Sequence, residues 1–214
     1  MKRFYLYCLL CASLALPAYG LSMSLQQRAQ TATDPETVRA FVRQTYIAGI
    51  PFKEVQGMSP DVALPVLITM LDDSRDAQYW ANIVVTLGML GDNRAVEPLI
   101  NFIARSEEPP ELSPPQAVAK TSAVMSVGYI VNKTGKGPAF TFLAEGVDPQ
   151  VWENRNIRWS SSFYPSTRER NIQLATMSII GLAISGRPEA EKILRDLQVP
   201  VDQRSMDVRQ GCRE

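Results

Sequence analysis

The chain has 214 residues, of which 45% are apolar and 21% charged, and its 22 basic residues balance 22 acidic ones. This length is typical of one domain that buries its own core without help from metals or disulfides. The balanced charge argues against a nucleic-acid-binding protein, which normally carries a basic excess, and no run of like charges indicates a polybasic membrane patch.

The N-terminus has the pattern of a secretory signal peptide. Lys2 and Arg3 precede an uncharged apolar run at 4–16, and the small residues Ala18 and Gly20 stand at the two positions that a signal peptidase reads. The run is shorter than the roughly twenty residues that span a bilayer, although an uncleaved anchor is an alternative. We expect cleavage after Gly20, which leaves a flexible segment at 21–33 and an exported, periplasmic or secreted protein without an integral membrane segment.

The three cysteines are Cys8, Cys11 and Cys212. Lipid attachment at Cys8 or Cys11 is disfavoured because the residue before each is large. Signal cleavage would leave Cys212 as the only thiol, so no intrachain disulfide is expected even in an oxidising compartment. Residues 199–214 form a polar tail that we expect to be dispensable for folding, and a dimer linked through Cys212 is the alternative role for it.

From Asp34 onwards, apolar residues recur with helical spacing. Asp34 is predicted to cap a helix that begins at Pro35, carries an apolar stripe from Val38 to Thr45 and ends at Gly49. The proline-rich stretch at 109–115 is predicted to break the chain, and no segment alternates cleanly enough for a strand. The predicted fold class is all-α, with further helices at 61–71, 76–90, 94–105, 116–131, 137–145, 169–185 and 188–198.

Three helices share a glycine at an equivalent place, namely Gly88, Gly128 and Gly181, with spacings of 40 and 53 residues. Glycine inside a helix costs roughly 1 kcal/mol relative to alanine, so its recurrence predicts close packing against a neighbouring helix. Pro65 and Pro98 mark the helices that follow, and we expect such prolines near a first helical turn. The pattern predicts a repeating helix–turn–helix unit of about forty residues.

One segment resembles the core motif of HEAT repeats of the phycobilisome-lyase type. It reads Leu87-Gly88-Met89-Leu90-Gly91-Asp92-Asn93-Arg94-Ala95-Val96-Glu97-Pro98-Leu99-Ile100. The turns at 132–135 and 185–188 are looser versions, and the similarity extends over 61–198, with a capping helix at 34–49. This resemblance implies a right-handed, armadillo-like α-solenoid of about four HEAT-like helix pairs over 34–198, with a concave face. Because HEAT proteins are mostly scaffolds, it also implies binding rather than catalysis.

Little in the sequence indicates catalysis. The chain contains no histidine, which removes the commonest general base and the commonest zinc ligand. Carboxylates cluster at 72–76 and at 107–111, where they could serve hydrolysis or calcium binding, but acidic residues also favour helix caps and turns. We therefore predict no catalytic residue, metal or cofactor. A carboxylate-dependent hydrolase or a carbohydrate-active protein is the alternative.

The last repeat carries an insertion, because its glycine lies 13 residues later than a forty-residue period requires. Large aromatic and arginine side chains dominate binding hot spots, and insertions in repeat proteins often collect on the binding face. The predicted partner-binding residues are Trp152, Arg155, Arg158, Trp159, Phe163 and Tyr164. Trp159 and Arg158 are the expected anchors for a protein or peptide partner. Alternatively, the aromatic residues Trp152, Trp159 and Phe163 cover the open end of the core.

Overall fold

The computed structural model describes residues 34–135 and 137–198, so the predicted signal peptide, the segment at 21–33 and the tail with Cys212 lie outside the described residues. The described part confirms the all-α class, since it contains only helices and two isolated bridges. The α-helices are α1 Pro35–Val42, α2 Phe52–Gln56, α3 Pro60–Asp72, α4 Trp80–Leu90, α5 Val96–Ala104, α6 Pro114–Thr134, α7 Pro138–Glu145, α8 Pro149–Asn154, α9 Thr167–Ser185 and α10 Pro188–Gln198. None of them is long and apolar enough to cross a membrane.

The first helix begins as predicted and ends early. The Asp34 carboxylate accepts hydrogen bonds from the backbone N–H groups of the first turn. However, α1 ends at Val42 rather than near Gly49, and Thr45 is exposed. Tertiary contacts stop the helix, because Asn82 donates to the Val42 carbonyl at 2.9 Å and the Tyr46 hydroxyl bonds the carbonyl of Phe41 at 2.8 Å. The distant Asn82 and the nearby Tyr46 thus satisfy carbonyl groups that another helical turn would otherwise occupy.

Other helix boundaries also differ from those predicted from the sequence. Short 3-10 turns precede α4 and α5, so these α-helices begin later than the predicted 76–90 and 94–105. The proline-rich stretch separates α5 from α6 as predicted, but α6 begins at Pro114, inside that stretch, where the missing N–H costs no hydrogen bond. Pro98 and Pro138 lie in a first turn as expected, whereas Pro65 lies in the second turn of α3. The short helices α2 and α8 were not predicted.

The core is organised around α4, α6 and α9, with α6 packed against both of the others. The glycines make this possible: a Cβ on Gly88 would lie 2.7 Å from the backbone oxygen of Ser126, and one on Gly128 would collide with the backbone of Gly181. A Cβ on Gly181 would in turn lie 3.0 Å from a methyl carbon of Leu143. The predicted close packing at the three glycines is therefore confirmed.

The three central helices run side by side in the same direction, as their C-terminal ends show. Lys133, near the end of α6, donates to the Leu90 carbonyl at the end of α4. Arg187, just after α9, donates to the carbonyls of Val131 and Asn132 near the end of α6. The last carbonyl groups of α4 and α6 are thus each satisfied by a cation, which also complements the helix dipole, whereas those of α9 accept from the Asn132 amide.

Candidate functional site

A cleft of about 480 Å³ opens between α5, α7 and α8. This volume falls in the range of ordinary ligand-binding sites. Its walls are mainly apolar, and its charged side chains are those of one arginine and one glutamate. The lining residues are Ile100, Ile103, Ala104, Pro138, Thr141, Phe142, Glu145, Trp152, Arg155 and Ile157.

The cleft exists because the helices around it are short. The helix α5 ends at Ala104 and α7 begins at Pro138, and each contributes one wall. The third wall comes from α8 and the residues after it, which belong to the insertion. Ile100 has the helical spacing of the core residues Leu99 and Ile103, yet it is partly exposed and lines this cleft, while Leu99 is fully buried.

Trp152 fixes α8 against the rest of the protein. Its indole N–H donates to the Gly146 carbonyl at 2.8 Å, and its ring meets Phe142 edge to face with 5.6 Å between centroids. Only glycine fits at 146, because a Cβ there would lie 2.5 Å from the hydroxyl of Ser178 and 3.0 Å from the indole. The aromatic wall of the cleft is therefore rigidly placed.

Arg155 is the only cation that lines the cleft. Its guanidinium carbon lies 4.2 Å from the ring centroid of Phe142 and 4.5 Å from that of Trp152, a distance typical of cation–π contacts. Nη2 donates to the Phe142 carbonyl at 3.0 Å and pairs with Glu145 at 3.3 Å. Burial lowers the pKa of Arg155, and the pairing with Glu145 opposes this shift. The group still carries its charge, since arginine is not deprotonated in proteins.

One nitrogen of this guanidinium is left without a partner. Nη1 of Arg155 is buried and has no hydrogen-bond acceptor among the described residues. A buried donor without an acceptor is unfavourable, and such groups are uncommon in native structures. Nη1 thus lies below the surface, and the part of the cation that a ligand in the cleft can reach is Nη2 with its contact to Glu145.

Trp159 belongs to a small second core rather than to an exposed surface. It is 2% exposed and packs with Leu112 and Ala117. Its indole N–H donates to the Ile103 carbonyl at 2.7 Å, and its own carbonyl accepts a hydrogen bond from Arg170 at 2.6 Å. These contacts do not support the expected role of Trp159 as a partner-binding anchor. The alternative prediction, that the insertion covers the core, fits both Trp152 and Trp159.

The remaining residues of the predicted site lie elsewhere on the surface. Phe163 is 52% exposed and meets the half-buried Tyr164 edge to face, so the core-cover prediction does not extend to Phe163. Arg158 is exposed, and its guanidinium can bond the side-chain oxygen of Asn156. Of the six predicted residues, only Trp152 and Arg155 line the cleft.

The two acidic clusters are engaged in structural contacts. Asp73 caps the 3-10 turn that follows it, and the buried Asp76 pairs with Arg43 at 2.8 Å, so it does not lie in a solvated turn. Glu107 pairs with Arg105 and with the buried Lys120. Across the part of the chain that the structure describes, no group of three or more acidic or cysteine residues could hold a metal ion.

Comparison with protein-family models, with curated proteins and with solved structures gives no match to this chain. The HEAT-like resemblance therefore depends on the motif at 87–100 and on its weaker repetitions. The features of the described residues that bear on function are the cleft, its aromatic wall and its arginine.

Proposed function

We propose that this protein is an exported, non-catalytic scaffold that binds a segment of a protein partner in the cleft between α5, α7 and α8. The observation that carries this proposal is the cleft itself, which combines an open apolar surface with one fixed cation. Apolar contacts with a few well-placed polar groups are the usual composition of a binding site. Arginine and aromatic residues at its edge are the types that dominate hot spots.

The proposed architecture is a right-handed α-solenoid of four HEAT-like helix pairs. The pairs would be α1 with α3, α4 with α5, α6 with α7, and α9 with α10. The parallel row of α4, α6 and α9 supports it, as do the left-handed glycines that end α4 and α9. The second helix of each pair would then line the concave face, and the cleft would lie between the second and third pairs.

The hydrolase alternative receives no support from the carboxylates. Asp76 and Glu107, one from each acidic cluster, are bonded to cations that fix them in the structure. Glu145 in the cleft has no second carboxylate among the other lining residues. A retaining or inverting glycosidase needs two such groups facing one substrate.

Filling the cleft tests the proposed site. Thr141 is exposed on its wall, so Thr141→Trp would occupy the cleft without disturbing buried side chains. Thr69→Trp, at an exposed position on α3 outside the cleft, is the matched control. We expect one sequence-identified envelope protein to co-purify with the wild type and the control and to be lost with Thr141→Trp, at equal thermal midpoints. Retention by both variants would reject this cleft, and turnover of a glycan would favour the hydrolase.

Export is tested separately. The proposed signal peptide predicts that protein recovered from outside the cytoplasm begins at Leu21, so its intact mass lacks the first twenty residues. A mass that retains them, or one that carries acyl chains, would reject cleavage at this position. Non-reducing electrophoresis of the same material shows whether Cys212 links two chains.

A further inference from the structure

The guanidinium of Arg155 is held in place by groups that use only part of its bonding capacity. Phe142 and Trp152 contact its flat surface, and the carbonyl of Phe142 accepts from Nη2. Nη1 is buried without an acceptor among the described residues, so Nη2 is the nitrogen that a ligand in the cleft can reach. An arginine N–H donates a short, charge-assisted hydrogen bond to a well-placed carboxylate oxygen.

Glu145 does not fill this role. One of its oxygens lies 3.3 Å from Nη2, a long distance for a charge-assisted bond, and no bond joins it to Nη1. Its side chain is 60% exposed, so little holds it beside Arg155. Because Glu145 is largely exposed and its contact with Nη2 is long, a better-placed acceptor can replace it.

We propose that the cleft binds the free C-terminal carboxylate of a partner protein whose last residue is apolar. The inference rests on the proposed function and specifies which part of the partner enters the cleft. The terminal carboxylate would replace Glu145 beside Arg155, and the terminal side chain would lie against Ile100, Ile103 and Ile157. An apolar side chain and a carboxylate occur on one residue only at a C-terminus, and one residue would satisfy both features of the cleft.

The test uses the full mature chain and synthetic hexapeptides with the sequence Gly-Ser-Gly-Ser-Ala-X. The last residue X is Leu, Phe or Ser, and each peptide is made as the free acid and as the C-terminal amide, with a fluorophore at its N-terminus. Anisotropy should show that the Leu or Phe acid binds at least about tenfold more tightly than its amide, because a charge-assisted hydrogen bond is lost on amidation. The Ser acid should bind more weakly than either.

Two variants separate carboxylate recognition from simple apolar binding. Glu145→Gln removes the competing carboxylate, so we expect tighter binding of the acid peptide and unchanged binding of the amide. Arg155→Lys keeps a charge but loses the guanidinium that Phe142 and Trp152 hold in place, and should reduce the preference for acid over amide. Since Glu145 is largely exposed, Glu145→Gln should fold normally, which keeps the proposal testable even where an Arg155 variant does not fold.

Several results would overturn this inference without touching the proposed scaffold role. Equal binding of acid and amide, or no binding of any of the six peptides, would reject C-terminal recognition. If the partner is still lost with Thr141→Trp in that case, the cleft binds an internal segment. Retention of the partner by Thr141→Trp, in contrast, would remove the proposed function itself.

Discussion

The row of long helices and the side formed by the shorter ones show two different ways of packing. In α4, α6 and α9, glycines let backbones touch, and no space remains between neighbours. Where α5, α7 and α8 meet, the helices are at most nine residues long and leave a cleft of about 480 Å³. Stability should therefore depend on the first region and binding on the second.

The largest difference between the regions should appear when an aliphatic side chain is shortened. Leu87 is fully buried in α4, so Leu87→Ala should lower the free energy of unfolding by about 2–5 kcal/mol. Ile100 lines the cleft and is partly exposed, so Ile100→Ala should cost about 1 kcal/mol or less. Urea denaturation measures both. Equal losses would mean that the cleft is part of the core.

Adding one methyl group to the glycine row should have the next largest effect. Gly128→Ala improves helix propensity by about 1 kcal/mol but places a Cβ against the backbone of Gly181, which has no side chain to move aside. We expect a net loss of about 2 kcal/mol by the same denaturation method. A variant as stable as the wild type would show that the helices separate easily and that their close packing contributes little.

Lys120 lies in α6 and bonds the end of α5, so it connects the glycine-packed row with a helix that lines the cleft. Its titration should make the free energy of unfolding depend on pH. Its ammonium is fully buried and donates to Phe102, Arg105 and Glu107 at the end of α5. Burial lowers the pKa of Lys120 to about 8, against the opposing effect of Glu107. Above pH 8 the folded chain releases this proton while the unfolded chain retains it, so the free energy of unfolding should rise with pH, by up to about 1.4 kcal/mol per unit.

The corresponding measurement compares denaturation at pH 7.5 and 9.5. The wild type should gain stability between these values by about 1–2 kcal/mol relative to Lys120→Met, which lacks the titrating group. Parallel pH profiles for the two proteins would show that the ammonium keeps its charge throughout this range.

The smallest effect on stability is expected where binding should change most. Thr141→Trp and its control Thr69→Trp alter exposed positions, so each should shift the free energy of unfolding by about 0.5 kcal/mol or less. Differential scanning calorimetry of both variants checks this. A large loss in Thr141→Trp alone would mean that the wall of the cleft supports the core.

The sequence predicted the long helices well because their apolar faces and glycines repeat with a helical period. The helices α2 and α8 are five and six residues long, too short for that period to be recognised. The early end of α1 depends on Asn82, forty residues away, which no local pattern reveals.

The site was harder to predict than the fold. Trp152 and Trp159 are the same residue type, and only their environment decides that Trp152 also lines the cleft while Trp159 belongs to the small second core. A buried indole needs an acceptor for its N–H, and the acceptors here, Gly146 and Ile103, are backbone groups that carry no sequence signal. Ile100 falls at the same helical spacing as the core residues of α5, yet it faces the cleft.

Hydrogen–deuterium exchange of the mature protein, with and without its co-purified partner, tests the central claim most directly. The account predicts that the partner slows exchange in α5, α7 and in residues 149–157, while α4, α6 and α9 are already protected without it. Protection that instead appears around Phe163 and Tyr164, with no change at the cleft, would contradict the proposed site.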